Sequence, residues 1–185
     1  MYRSNKVSQY IAFLRAINVG GHTVKMDRLR EIFETLGYAN VQTFIASGNV
    51  LFEAGARKAL ALEKKIELSL KTELGYEVTT FIRKPEELTA IVRHRPFPDE
   101  NVDGHTLYVG FTTTVPTRNL VERVGALSGA VDELSVNGRE IYWLCRKSFS
   151  ESEISGALVE KTLGMSVTIR NINTVRRILA KLETK

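Results

Sequence analysis

The chain is poor in the residues that announce chemistry. Its 185 residues include one cysteine, Cys145, one tryptophan, four prolines and three histidines. A single thiol excludes an internal disulfide framework and suits a reducing compartment. No apolar run approaches the roughly 20 residues of a membrane helix, and residues 1–8 lack the hydrophobic stretch of a secretory signal. The expectation is a cytoplasmic protein with no membrane partner. His22, His94 and His105 are far apart, without i, i+4 pairing or a cysteine neighbour, so no metal site is expected. Neither a dinucleotide fingerprint nor a Walker loop occurs, and no cofactor is implied. A Gly-x-Ser-x-Gly elbow and a His-Glu-x-x-His helix are missing too.

What is present is ordinary in amount and uneven in place. The apolar share of 43% and charged share of 25% are those of a globular protein. At this length roughly 70% of the unfolded surface should be buried. The formal net charge is +5. Between Ile169 and Lys185, five cations (Arg170, Arg176, Arg177, Lys181, Lys185) face Glu183 alone, leaving +4 there and +1 for the rest. A basic terminal element could attract phosphates, or could be the solvated face of a final helix.

Hydrophobic periodicity divides the chain into two similar runs. Residues 9–17 suit a buried strand. Met26, Leu29, Ile32, Phe33 and Leu36 form a helical stripe stopped by Gly37. Val41–Ala46 and Asn49–Phe52 are strands about a Ser47-Gly48 turn. Leu62, Ile66, Leu70 and Leu74 stripe a helix ending at Gly75, Glu77–Ile82 is a strand, and Pro85 opens a short helix. Residues 94–104 hold Pro96, Pro98 and Gly104 without periodicity, which places a linker at 96–104 between halves 1–95 and 105–185. The order then repeats: strand 106–112, helix 116–127, strands 133–136 and 140–146 about Asn137-Gly138, a helix to Gly164, strand 166–170 and a last basic helix. Ser150 with Glu153 reads as a capping box for the helix to Gly164, with Phe149 and Ile154 as its staple. Leu74-Gly75-Tyr76-Glu77-Val78-Thr79 matches Leu163-Gly164-Met165-Ser166-Val167-Thr168 in Leu-Gly-x-x-Val-Thr. Two α+β halves of the split βαβ, ferredoxin-like order are expected, each with an extra C-terminal helix, as from an internal duplication.

Three runs exceed what a fold alone requires: Leu14-Arg15-Ala16-Ile17-Asn18-Val19-Gly20-Gly21, Thr43-Phe44-Ile45-Ala46-Ser47-Gly48-Asn49-Val50, and Thr168-Ile169-Arg170-Asn171-Ile172-Asn173-Thr174. In a split βαβ unit the first two strands are parallel, so the loop after strand one and the turn after strand two share one end of the sheet. Arg15, Asn18, Gly20, Gly21, Ser47 and Asn49 would then line one concavity, with Arg170 and Asn171 contributing if the halves bring them near. Each residue also has a plainer role. The glycines can serve backbone freedom, Arg15 can clamp carbonyls, and Asn171, Asn173 or Thr174 can cap the last helix.

The three runs resemble those of a bacterial domain-of-unknown-function family numbered 1697, whose members carry Leu-Arg-Gly-Ile-Asn-Val-Gly-Gly, Thr-Tyr-Ile-x-Ser-Gly-Asn-Val and Thr-x-Arg-Asn motifs. Here Ala16 replaces the usual Gly, Phe44 the usual Tyr, and Ile172 a frequent Trp. The resemblance implies a duplicated α+β fold and supplies no reaction.

Three functional readings follow. One is a binding protein for an anionic small molecule, nucleotide-like or phosphorylated, at the concavity. A second is an enzyme in which Ser47, Asn49 and Arg15 stabilise an anion with His22 as base. A third is nucleic-acid binding through the basic last helix. RNA-motif recognition is disfavoured, because Asn49-Val50-Leu51-Phe52-Glu53 lacks the basic, glycine and aromatic signature.

Overall fold

The computed structural model describes residues 7–18 and 20–183. Its elements alternate as the hydrophobic pattern requires: β1 (Val7–Leu14), α1 (Met26–Thr35), β2 (Ala39–Phe44), β3 (Asn49–Gly55), α2 (Ala59–Leu74), β4 (Thr80–Arg83), α3 (Pro85–Arg93), β5 (Thr106–Phe111), α4 (Arg118–Gly125), β6 (Asp132–Asn137), β7 (Glu140–Cys145), α5 (Gly156–Leu163), β8 (Thr168–Asn171) and α6 (Ile172–Glu183), with a 3-10 turn at Phe149–Glu151. The strands form two four-stranded antiparallel sheets, ordered β2-β3-β1-β4 and β6-β7-β5-β8. This is an α+β protein of two similar halves. The chain divides into two compact units between Glu87 and Leu88.

In the first unit, Tyr10, Ala12 and Leu14 of β1 alternate onto the same face as Val50, Phe52 and Ala54 of β3. That face is covered by Leu29, Ile32 and Phe33 of α1 and by Leu62, Ile66 and Leu70 of α2. Phe52 anchors it, stacked on Tyr10 at 5.6 Å with Tyr38 at 4.6 Å. In the second unit, Trp143 and Ile141 of β7 pack with Leu134 of β6, Val124 of α4 and Val159 and Leu163 of α5.

Edge strand β4 is protected by α2. Glu63, 2% exposed, accepts from the Ile82 N–H at 2.9 Å, and Glu67 accepts from the Thr80 N–H at 2.9 Å. A helical carboxylate thus takes the place of a further strand. In the second unit Glu160 of α5 accepts from the Val167 N–H at 2.7 Å, just before β8.

The two sheets also share a buried arginine. Phe13 pairs with Asn49 and Phe81, and Phe111 with Glu140 and Thr168, so Arg83 opposite Ile11 and Arg170 opposite Val109 occupy the same register. Each donates Nη1 to the carbonyl of the preceding residue, at 2.8 Å for Arg83 and 2.9 Å for Arg170. The Leu-Gly-x-x-Val-Thr match therefore holds at the helix caps, Gly75 (φ 81°) and Gly164 (φ 66°), and slips by two residues in the strands beyond.

Several expected local features moved. The β6–β7 turn is Gly138-Arg139, one residue later than Asn137-Gly138, because Asn137 pairs with Glu140 and Gly138 (φ 62°) takes the first turn position. The capping box belongs to Ser148 and Glu151 around the 3-10 turn. α5 is instead capped by Ser155, whose Oγ accepts from the Leu158 N–H at 3.1 Å. Residues 94–104 are far from featureless. Phe97 and Glu100 are buried, and Asp99 accepts twice from Arg146, at 2.7 and 3.3 Å, while Arg146 also pairs with Glu133. No helix among the described residues is long and apolar enough to cross a membrane.

Candidate functional site

β1 and β2 both run antiparallel to β3 and are therefore parallel to each other. β4 runs antiparallel to β1. The β1–α1 loop, the β2–β3 turn and the α2–β4 loop consequently open at one end of the first sheet. Backbone and side-chain bonds tie them together. Leu14 N–H donates to Gly48 O at 2.8 Å, and Arg15 N–H to Thr79 O at 2.9 Å. Asn18 spans the rim: its Nδ2 donates to Ala46 O at 3.0 Å, and its Oδ1 accepts from Val24 N–H at 2.6 Å. A Cβ on Gly48 (φ 75°) would lie 3.1 Å from both Leu14 Cβ and Ile17 Cβ. Glycine is thus required where the first two runs touch.

The six residues expected in the first unit are together, with different duties. Asn49 is fully buried, and its Nδ2 donates to Phe44 O at 3.0 Å and Ser47 Oγ at 2.9 Å. It braces the turn from beneath. Asn18 is half-buried and braces the loop. Arg15 and Ser47 are half-buried, while Gly20 and Gly21 are exposed, so these four keep solvent-accessible surface at the rim. Val19 lies outside the described residues. His22 is exposed and stacks on Tyr76 of the α2–β4 loop, centroids 3.8 Å apart and planes 22° apart. Tyr76 was missed in the sequence, where only the Leu-Gly cap before it gave a signal. Burial raises its hydroxyl pKa.

The rim is strained. Ala16 (φ 65°), Asn18 (φ 56°) and Ile45 (φ 53°) adopt left-handed backbone alongside Gly20, Gly21 and Gly48. Alanine pays about 1–2 kcal/mol there, and a β-branched isoleucine is a genuine outlier. Both strands end early for this reason: β1 stops at Leu14 rather than at residue 17, and β2 at Phe44 rather than Ala46. Ala16→Gly should therefore stabilise the first unit by about 0.5–1 kcal/mol, less than the full relief because glycine also frees the unfolded chain. A urea midpoint unchanged or lowered in that variant would count against left-handed strain at residue 16.

Arg170 and Asn171 lie in the second unit. Arg170 is 8% exposed and donates to Thr168 Oγ1 at 2.8 Å as well as to Ile169 O. Burial pushes its pKa down to about 10, which leaves it charged at neutral pH. Asn171 caps α6, its Oδ1 accepting from Asn173 N–H at 2.8 Å. Cys145 is buried, and burial raises its thiol pKa, as suits a packed side chain. Among the described residues no group of acidic, histidine or cysteine side chains could hold a metal ion. Of the basic tail, Arg176 donates to Asn173 Oδ1 at 3.0 Å, and Lys185 lies outside the described residues.

These features define an α+β protein of two four-stranded antiparallel sheets, the first carrying a looped, strained rim. Residues 7–142 match the family described as "Protein of unknown function (DUF1697)", and the chain belongs to that family. The third run, Thr168–Thr174, lies beyond the matched residues. A conserved bacterial protein, SP0830 from Streptococcus pneumoniae, has the same fold at TM-score 0.77 and 22% identity, over 96% of this chain and 99% of that one. No curated protein matches the chain.

Proposed function

We propose that the rim of the first unit binds a small anionic ligand, nucleotide-like or phosphorylated, and that the chain is a binding protein made of two ferredoxin-like halves, only one of which carries the site. The strand order, with β3 lying between parallel β1 and β2, supports the split βαβ reading. A difference between the two halves carries the functional one. The connection from β1 to α1 occupies residues 15–25, whereas that from β5 to α4 occupies 112–117, eleven residues against six. The second sheet closes its corresponding end with Thr112, whose N–H and Oγ1 both donate to Arg139 O, and it needs no glycine pair, left-handed alanine or asparagine bridge. The fold manages without those features, so their concentration in the first unit calls for another explanation.

In this reading Arg15 supplies the charge and Ser47 a hydroxyl. Gly20 and Gly21 allow close backbone approach, and Asn18 and Asn49 hold the rim in place. The test is a thermal-shift and native mass-spectrometry screen of nucleotides and sugar phosphates against the parent chain and Arg15→Ala. At least one phosphate-bearing compound should raise the parent's melting temperature, and the variant should bind it about 100-fold more weakly, the loss of a bidentate charged contact. If no such compound stabilises the parent, or if both proteins respond alike, the reading fails.

A further inference from the structure

The β1–α1 loop holds more than the anion-binding features. His22 follows Gly20-Gly21 directly, and its imidazole lies on the Tyr76 ring with centroids 3.8 Å apart and planes 22° apart. That is close, nearly parallel stacking. Tyr76 covers one face of the imidazole, and because His22 is exposed the other face is open to solvent. Tyr76 itself is anchored. Its ring packs against the core of the first unit, and its hydroxyl is enclosed, with no hydrogen-bond partner among the described residues. The tyrosine therefore serves as a flat seat rather than as a polar contact.

The second unit shows what the fold alone asks of this position. Met165 stands where Tyr76 does, directly after the left-handed glycine that ends the preceding helix, Gly164 against Gly75. Its partner is Thr114 of the β5–α4 connection, whose Oγ1 donates to Met165 Sδ at 3.9 Å. In both halves the residue after the cap thus touches the loop after the first strand. A thioether and a hydroxyl suffice in one half. The other uses two stacked rings and leaves one of them open to solvent.

We propose that the outer face of His22 is a shelf for a nucleobase, so that the ligand of the first unit's rim is a nucleotide; this rests on the anion-binding reading above and names its substrate class. The layout fits. With strand order β2-β3-β1-β4, two strand spacings, about 10 Å, separate the Ser47 turn at β3 from the β4 side that carries Tyr76, with Arg15 between them. The bond from Arg15 N–H to Thr79 O ties the middle position to the loop of Tyr76. A phosphate held by Arg15 and Ser47 leaves the attached ribose to carry a base towards His22, whose flat open face accepts any base by stacking. A sugar phosphate would leave that face unused.

The experiment titrates the full-length chain with AMP, GMP, CMP and UMP, with ribose 5-phosphate and with inorganic phosphate, measuring affinity and the ring-proton shifts of His22. At least one nucleotide should bind about tenfold or more tightly than ribose 5-phosphate and should move the His22 ring protons upfield. His22→Ala, at an exposed loop position, should weaken that nucleotide about tenfold and leave ribose 5-phosphate unchanged, and His22→Phe should restore the loss. Arg15→Ala should weaken both ligands. Ribose 5-phosphate binding as tightly as every nucleotide, a nucleotide affinity that His22→Ala does not change, or an equal loss of both ligands in His22→Ala would overturn the shelf while leaving the anion-binding rim in place. If no phosphate-bearing probe binds the parent chain, the shelf and the rim both fall.

Discussion

Asp132→Ala should be the most damaging single substitution in the second unit, costing about 3–5 kcal/mol, because it strips three donors, the buried Trp143 indole among them, of a charged acceptor at once. Asp132 is 2% exposed and sits at the start of β6. Its Oδ1 accepts from Trp143 Nε1 at 2.6 Å, Ser152 Oγ lies 2.9 Å from both carboxylate oxygens, and Glu153 N–H donates to Oδ2 at 3.1 Å. Those donors come from β7 and from the segment leading to α5, so the carboxylate joins sheet to helix. Trp143 is the only tryptophan in the chain, which makes its fluorescence a local reporter. Urea unfolding followed by that signal should show the loss, and a change below about 1 kcal/mol would mean the network relaxes without Asp132.

Asn49→Ala should have the second-largest effect, about 2–4 kcal/mol in the first unit, through lost hydrogen bonds and a small cavity in a fully buried place. The substitution removes the Nδ2 donor from both Phe44 O and Ser47 Oγ. Ser47→Ala is the control, since it removes one of these bonds at a half-buried position and should cost only about 0.5–1.5 kcal/mol. Circular dichroism during urea unfolding distinguishes the two. If the variants were equally stable, Asn49 would not be the brace of the β2–β3 turn. Ligand response should suffer as well, because that turn presents Ser47 on the same rim as Arg15.

Much of the candidate rim was legible in the residues. Arg15, Asn18, Gly20, Gly21, Ser47 and Asn49 stand out in the sequence because a fold alone does not require so many amides and guanidiniums at strand ends, and the parallel relation of β1 and β2 brings them together. What could not be read was the division of labour among them. An asparagine's sequence neighbours do not reveal whether its amide faces solvent or a carbonyl beneath it. Asn49 turned inward because β3 begins there and its side chain falls under the turn. Tyr76 and its stack with His22 escaped notice for a related reason: fifty-four positions separate them (76 minus 22), and only the sheet order brings their loops to one end. Glu63 and Glu67 would be read as a solvated helical face, yet edge strand β4 takes both as acceptors.

The sequence by itself determined the element order, the helical stripes, the glycine stops at Gly75 and Gly164 and the two-halved plan. These depend on local spacing and backbone freedom, which neighbouring residues set. Only the tertiary structure decided the strand registers that give Arg83 and Arg170 one place in two sheets. It also decided the positive φ of Ala16 and Ile45, and the pairing of Asp132 with Trp143. Each of these is fixed by contacts between segments distant along the chain, where packing and the pairing of buried polar groups outweigh local preference.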